Sequence, residues 1–464
     1  MARLVRLAAV LLVVGALPAA AQPVAPPDRP PPSSGTPNGP PKGAAAACGI
    51  GQAGALREVG CELAHALASA PPGALVVSAP LTSDVKLAQP ERLTSRIAAI
   101  VSGALGRGSR ARDEPAKLAR ARTLASSGGT LIHLEIEIGR GELRVTADVY
   151  PAPRRFWARV RDAAPSPSLH AFVSRRIDAE IRTFLPPVPL VAGAIQRAMA
   201  PDTDAVALAC DDTDLDGAIE LVWVGRRRIH VGRLREGRFQ VVHSASWPDL
   251  SPVAQSPLRE PVGAVSIDPG RYLDVGISDR AYLVRLSPEL SPISKPGRRV
   301  PWPGGGCTRF NALSLRAEIE PCVPGDALVK LAKFQSATDA VAGASVTTRA
   351  GEPRLVRAGR ISNEPIVVLM DDRGKSAKLG GMGAQLAVGD LDGDGQPELL
   401  SGSNTLKPEA DALIVHTWQD DGRLVERLRL SVPAGIRALA VCPPESAGLS
   451  PIAIATSDAV WVVR

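Results

Sequence analysis

The chain is 464 residues long, with a formal net charge of +7, 45% hydrophobic residues and only 3% aromatic ones. That length suits two domains and that hydrophobic share supplies a core, so a wholly disordered chain is excluded and Val, Leu and Ala must do the packing. The clusters Arg154-Arg155, Arg175-Arg176, Arg226-Arg227-Arg228 and Arg298-Arg299 are scattered without aromatic interleaving, which reads as solvated surface and not as a nucleic-acid partner.

Residues 1–21 read as a Sec-type signal peptide: Arg3 and Arg6, the apolar run Leu7 to Leu17, then Ala19-Ala20-Ala21 as a cleavage site near Ala21. The run is too short to span a bilayer, and no later stretch qualifies as a transmembrane segment. An exported monomer, periplasmic or extracellular, is expected, its charge reduced to +5 by loss of the two arginines. No Cys follows the cleavage site, so a lipid anchor is not expected. Residues 22–47 are rich in Pro and Ala and read as a disordered tether.

Residues 48–187 mix helical and strand patterns, the signature of a small α+β domain. From Pro90, Leu93, Ile97, Ile100, Val101 and Leu105 share one helical face. Leu169, Phe172, Val173, Ile177, Ile181 and Phe184 predict a second helix on the same grounds. Between them, Thr130 to Ile138 and Glu142 to Tyr150 alternate apolar and polar residues, which predicts a hairpin with one buried face. Ala74 to Ser78 reads as a further strand.

Over residues 188–464, short apolar runs recur with turn residues between them, as in a repeat array. Two loops share the register D-x-D-x-D-G-x-x-E: Asp212, Asp214, Asp216 and Glu220 in the first, Asp390, Asp392, Asp394 and Glu398 in the second. Alternate carboxylates aimed at one point, with Gly217 or Gly395 for the sharp turn, are hard oxygen ligands suited to Ca2+. An EF-hand would place its bidentate Glu at position twelve, between helices. Here the carboxylate comes at nine and strands flank the loop: Ala205 to Ala209 and Ile219 to Val224 for the first, Gln385 to Val388 and Glu398 to Leu400 for the second.

On those motifs the sequence resembles the FG-GAP or VCBS repeat family, with Val388 to Gly395 its best match. The resemblance implies an all-β propeller whose blades hold Ca2+ between their first two strands, with the eight carboxylates above as metal ligands. Six blades are expected, starting near Ala205, Val262, Arg309, Ser345, Gln385 and Ile436, with seven as the alternative count. After Ile436 three strand-like runs remain, Arg437 to Val441, Pro451 to Thr456 and Ala459 to Val463. Val188 to Ile195 is expected to supply the fourth strand and close the ring. An α+β domain followed by a propeller also resembles the architecture of TolB-like periplasmic proteins.

Six cysteines in an exported chain favour disulfides, with Cys48 and Cys61, and Cys307 and Cys322, as local pairs. Cys210 and Cys442 end similar strands of the first and last blades, which a ring makes neighbours. Other chemistry is sparse. Gly49-Ile-Gly51-Gln-Ala-Gly54 matches a dinucleotide fingerprint but follows a poly-Ala tether and not a strand. His65, His133, His170, His230, His243 and His416 are dispersed, and Gly304-Gly305-Gly306 reads as a loop. Trp223, Trp418 and Trp461 are expected to pack between blades. The expected function is therefore an exported, non-enzymatic binding or scaffold protein engaging a protein or glycan. The alternatives are a calcium-dependent hydrolase or lyase with its site in the propeller channel, and a TolB-like envelope component.

Overall fold

The computed structural model describes residues 54–464 apart from 85, 126–128, 140, 152–165, 251–253, 256–260, 269, 281, 294–299, 303–305, 312–315, 322–337 and 445–447. The signal peptide 1–21, the tether 22–47, Cys48, the first two fingerprint glycines, Arg154-Arg155, Arg298-Arg299, Gly304-Gly305 and Cys322 lie outside the described residues.

The first part is an α+β layer. Helices α1 (Ala55–Ala66) and α2 (Pro90–Leu105) bury Leu56, Val59 and Leu63, and Leu93, Ile97 and Val101, on single faces. Pro90 opens α2, where its missing N–H costs nothing. Strand β1 (Leu75–Ser78) runs parallel to both β3 (Arg110–Ala111) and β4 (Thr130–Gly139), and β2 (Thr82–Ser83) continues along β4. β4 then pairs antiparallel with β5 (Glu142–Pro151), as the alternation predicts. Ile132, Leu134, Ile136 and Ile138 face α1 and α2, while Leu131 and Tyr150 face α3 (Leu118–Ala125).

The helix predicted over Leu169 to Phe184 is not formed. Leu169–Arg176 is strand β6, paired antiparallel with β5, and only Ala179–Arg182 is helical, as α4. A ladder edge on β5 can be satisfied only by a strand, and Ala171 and Val173 fill the core at period two. Phe172, which the helical reading buries, is 57% exposed.

The rest is built from antiparallel sheet units. β8 (Ala205–Asp211), β9 (Glu220–Gly225), β10 (Arg228–Arg235) and β11 (Arg238–Ser246) form the first. β12 (Gly263–Ile267), β13 (Leu273–Ile277) and β14 (Tyr282–Leu286) form the second; β15 (Val300–Trp302), β16 (Gly306–Asn311) and β17 (Arg316–Pro321) the third. The fourth comprises β18 (Thr338–Thr347), β19 (Pro353–Ile361), β20 (Ile366–Asp371) and β21 (Ser376–Gly380). The fifth comprises β22 (Met382–Gly389), β23 (Glu398–Ser403), β24 (Ala412–Trp418) and β25 (Leu424–Ser431). The expected starts at Arg309 and Ser345 fall inside β16 and β18; the others lie within a few residues of a first strand.

First strands adjoin in sequence, β8 to β12, β15, β18, β22 and β26 (Ala438–Val441), and β26 returns to β8, a propeller-like ring. The approach is close: a Cβ on Gly389 of β22 would come within 2.8 Å of Val441 in β26. The last unit adds β27 (Ile452–Ala455) and β28 (Ala459–Val463), and its fourth strand is β7 (Ile195–Met199) from the start of this half. Closure by an early segment is as expected, but the strand is displaced. Val463 pairs with Ile195 and Ala459 with Met199, and Gly193 and Ala194 still bond Arg464, while Val188 to Ala192 precedes the ladder. An outer strand needs only one buried side chain, here Ala198, so its polar Gln196 and Arg197 hid it. Cys210 and Cys442 form a disulfide with Cα atoms 5.1 Å apart across the same junction.

Trp223 and Trp418 are fully buried, each among residues of a neighbouring unit, and Arg354 of β19 stacks 4.7 Å from the Trp418 ring. Closure by β7 makes Ala198→Asp, which buries an unpaired charge against β28, cost about 3 kcal/mol in denaturant melts. Val188→Asp, outside the strand, should change stability by well under 1 kcal/mol; equal losses would contradict this assignment of the closing strand.

Candidate metal centres

Both acidic loops cross between the first and second strands of a unit, so each begins where an inner strand ends and closes on the next strand's first residue, Glu220 or Glu398. In each loop the carboxylates at positions one, three and nine converge. One oxygen apiece from Asp212, Asp214 and Glu220, and from Asp390, Asp392 and Glu398, lie within 4.8 Å of one another. Asp216 and Asp394, expected as fifth-position ligands, are not in these trios. Each instead bonds an arginine: Asp216 with Arg233 at 2.7 Å and Asp394 with Arg349 at 2.9 Å.

The second loop is wound around its own carboxylates. Asp394 N–H donates to Asp390 Oδ1 at 3.0 Å and Gly395 N–H to Asp390 Oδ2 at 2.9 Å. Gly393 and Gly395 supply the positive φ values, 68° and 83°, that this winding requires. Glu398 is fully buried and accepts from Leu391 N–H at 2.7 Å and the Thr417 hydroxyl at 2.9 Å. Burial pushes the Asp390 carboxyl up to about 7 and raises Asp392, and it raises Glu398 well above the usual range, with mutual repulsion adding to each. Arg182 of α4 and Arg427 attract Asp392, and Arg182 attracts Asp390, yet burial outweighs them and the net shift of both acids is upward. A convergent set of hard oxygen donors, half-buried to buried and with their charge disfavoured, fits a divalent cation.

The first loop is balanced in part from within, although Asp212 Oδ1 is buried and accepts no hydrogen bond among the described residues. The Arg233 guanidinium reaches in from β10 and bonds Asp214 at 2.9 Å, Asp216 at 2.7 Å and Glu220. These bonds raise the Arg233 guanidinium further, Asp216 contributing most. Leu215 takes the left-handed conformation, φ 63°, that the second loop gives to Gly393. Arg233 has no signal of its own in the sequence, since an arginine in a strand reads as surface. The hairpin register reveals it: Leu221 pairs with Gly232, so Arg233 stands opposite Glu220.

Both loops lie at the end of the ring that meets the α+β part. Arg176 of β6 bonds Asp211 at 2.7 Å, and Arg271 bonds the same carboxylate at 3.1 Å. α4 lies on the second loop: a Cβ on Gly395 would meet the Ala179 Cβ at 3.2 Å, and one on Gly393 would meet Arg182 Nε at 2.9 Å. Arg182 also donates to the Gly448 carbonyl at 2.9 Å. α4 is itself pinned, because Asp178 accepts from Ile181 N–H at 3.0 Å and from Ala55 N–H at 2.8 Å, and Glu180 bonds Arg96. The ring encloses a cavity of about 1180 Å3, walled by small residues such as Ala207, Ala264, Ala342 and Ala440 and by charged ones such as Asp204, Asp339, Arg360 and Asp411. Asp178, Ala179 and Arg182 line its end beside the loops. His133 is buried on β4 and bonds the Ala116 carbonyl at 3.1 Å; His230 and His416 are buried on strands, and burial lowers both.

Fold and loops together define a β-propeller-like chain with an amino-terminal α+β part. Neither a family model nor a curated protein matches the sequence. Among solved structures, it is similar to a streptogramin B lyase at 8% identity, over 58% of this chain and 97% of that one, with a TM-score of 0.33. It is similar to TolB from Acinetobacter baumannii at 13% identity, over 78% and 94%, with a TM-score of 0.27. A mutant of AofleA from Arthrobotrys oligospora matches at 8% identity, over 57% and 84%, with a TM-score of 0.37.

The raised carboxyl at Asp390 fixes a sign. An acid whose pKa is higher folded than unfolded destabilises the fold above that pKa, and the penalty vanishes below the unfolded value. In chelator at pH 8, Asp390→Asn should therefore unfold later than the unsubstituted chain, by about 1 to 2 kcal/mol after loss of an acceptor is discounted. The advantage should shrink as pH falls from about 7 toward 4. A variant less stable than the parent at pH 8 in chelator would contradict the crowding.

Proposed function

We propose that this chain is an exported, non-enzymatic binding or scaffold protein: a six-bladed propeller, stabilised by calcium, that presents its open face to a protein or glycan. The observation that carries this reading is the trio Asp390, Asp392 and Glu398, two half-buried acids and one fully buried, whose oxygens converge within 4.8 Å while burial disfavours their charge. Bound there, Ca2+ would offset most of the trio's charge, and the loop would stiffen beneath α4. The six adjoining first strands support the blade count. The cavity is large enough to take a ligand, and covering of one end by α4 leaves the opposite mouth for a partner. Leu406, wholly exposed at that mouth, suits an apolar anchor. The order of parts is also what a TolB-like envelope component requires, and docking on membrane proteins is the added expectation of that reading.

At ten times its Kd, a ligand confined to the folded state adds about 1.4 kcal/mol, and exported modules bind calcium at roughly 10^-4 to 10^-3 M. Melts in 5 mM CaCl2 should exceed those in chelator by that order, with bound calcium detected by elemental analysis; coincident melts and no metal would refute the calcium reading. For the face, Leu406→Asp should leave the melt unchanged and sharply reduce capture of envelope proteins or glycans on the immobilised chain. Undiminished capture would remove this face as the binding surface.

A further inference from the structure

We infer that the first loop carries its own cation, the Arg233 guanidinium, so that the chain binds one calcium ion, at the second loop, and not two. The inference rests on the calcium reading above and assigns the metal to one of two loops with the same motif. The deciding position is not in the motif. It is the residue across the hairpin from the ninth-position glutamate: Thr417 pairs with Glu398, and Arg233, one step beyond the Leu221 and Gly232 pair, stands opposite Glu220.

A threonine there donates one neutral hydrogen bond to Glu398, at 2.9 Å, and brings no positive charge of its own into the carboxylate trio. An arginine places a permanent positive charge, with several N–H donors, among the same carboxylates. It bonds Asp214, Asp216 and Glu220 together, with its own side chain only 15% exposed. The charge-assisted bonds form within one rigid hairpin, so the arginine acts at a very high effective concentration. Calcium at the first loop would have to displace the guanidinium from all three carboxylates and leave it partly buried beside a second cation. The backbone agrees: the second loop uses Gly393 where the first strains Leu215 into φ 63°, and its donors are the more deeply buried.

Equilibrium dialysis against millimolar calcium, with metal counted per chain, tests this directly. The unsubstituted chain should hold one ion. Asp392→Asn should abolish it, and Asp214→Asn should leave it in place. The reciprocal exchange should move the count in opposite directions: Arg233→Thr to two ions, Thr417→Arg to none. If Arg233→Thr fails to fold, the contrast between Asp214→Asn and Asp392→Asn still decides. Two ions in the unsubstituted chain, or loss of the single ion in Asp214→Asn with retention in Asp392→Asn, would overturn the inference. No ion in any variant would refute the calcium reading itself and remove the inference with it.

Discussion

Carboxylates packed together away from water cannot all stay charged unless something positive joins them. Two hairpins with the same spacing of acids face that constraint to different depths, Asp214 and Asp216 being exposed and Asp390 and Asp392 half-buried, and it is met differently each time. At the first, an arginine from the adjacent strand is drawn into the cluster and pairs with three of its carboxylates from within the fold. At the second, backbone N–H groups and Thr417 take up part of the acceptor capacity, and the charge itself stays disfavoured by burial.

The position of these hairpins turns a local charge problem into an architectural one. Both loops sit where the ring meets the α+β part, and α4 packs directly on the glycines of the second loop. The ring depends in turn on contacts far apart in sequence: β7 completes the last unit, and the Cys210 to Cys442 disulfide ties β8 to the segment after β26. A change in the second loop is therefore felt by two groups of elements at once, the inner strands it joins and the short helix that covers it.

Much of this was legible in the residues. The acid spacing marked both loops, Pro90 and the face from Leu93 to Leu105 marked α2, and strict alternation marked the β4 and β5 hairpin. What stayed hidden did so for physical reasons. Leu169 to Phe184 satisfies helical spacing and period two together, and only the open edge of β5 selects the strand. β7 is an outer strand with one buried residue, so the more apolar run before it looked the better candidate. Arg233 lies 13 residues beyond Glu220 and becomes a site residue only through hairpin register. Asp216 and Asp394 matched the motif yet pair with Arg233 and Arg349, contacts that the acid spacing alone does not reveal.

The central claim is that one loop holds calcium and the other holds an arginine in its place. Long-wavelength anomalous diffraction from crystals grown in millimolar calcium tests it most directly. The account predicts a single anomalous peak among Asp390, Asp392 and Glu398, with the Arg233 guanidinium and no peak among Asp214, Asp216 and Glu220. A peak at the first loop, or none at the second, would contradict it.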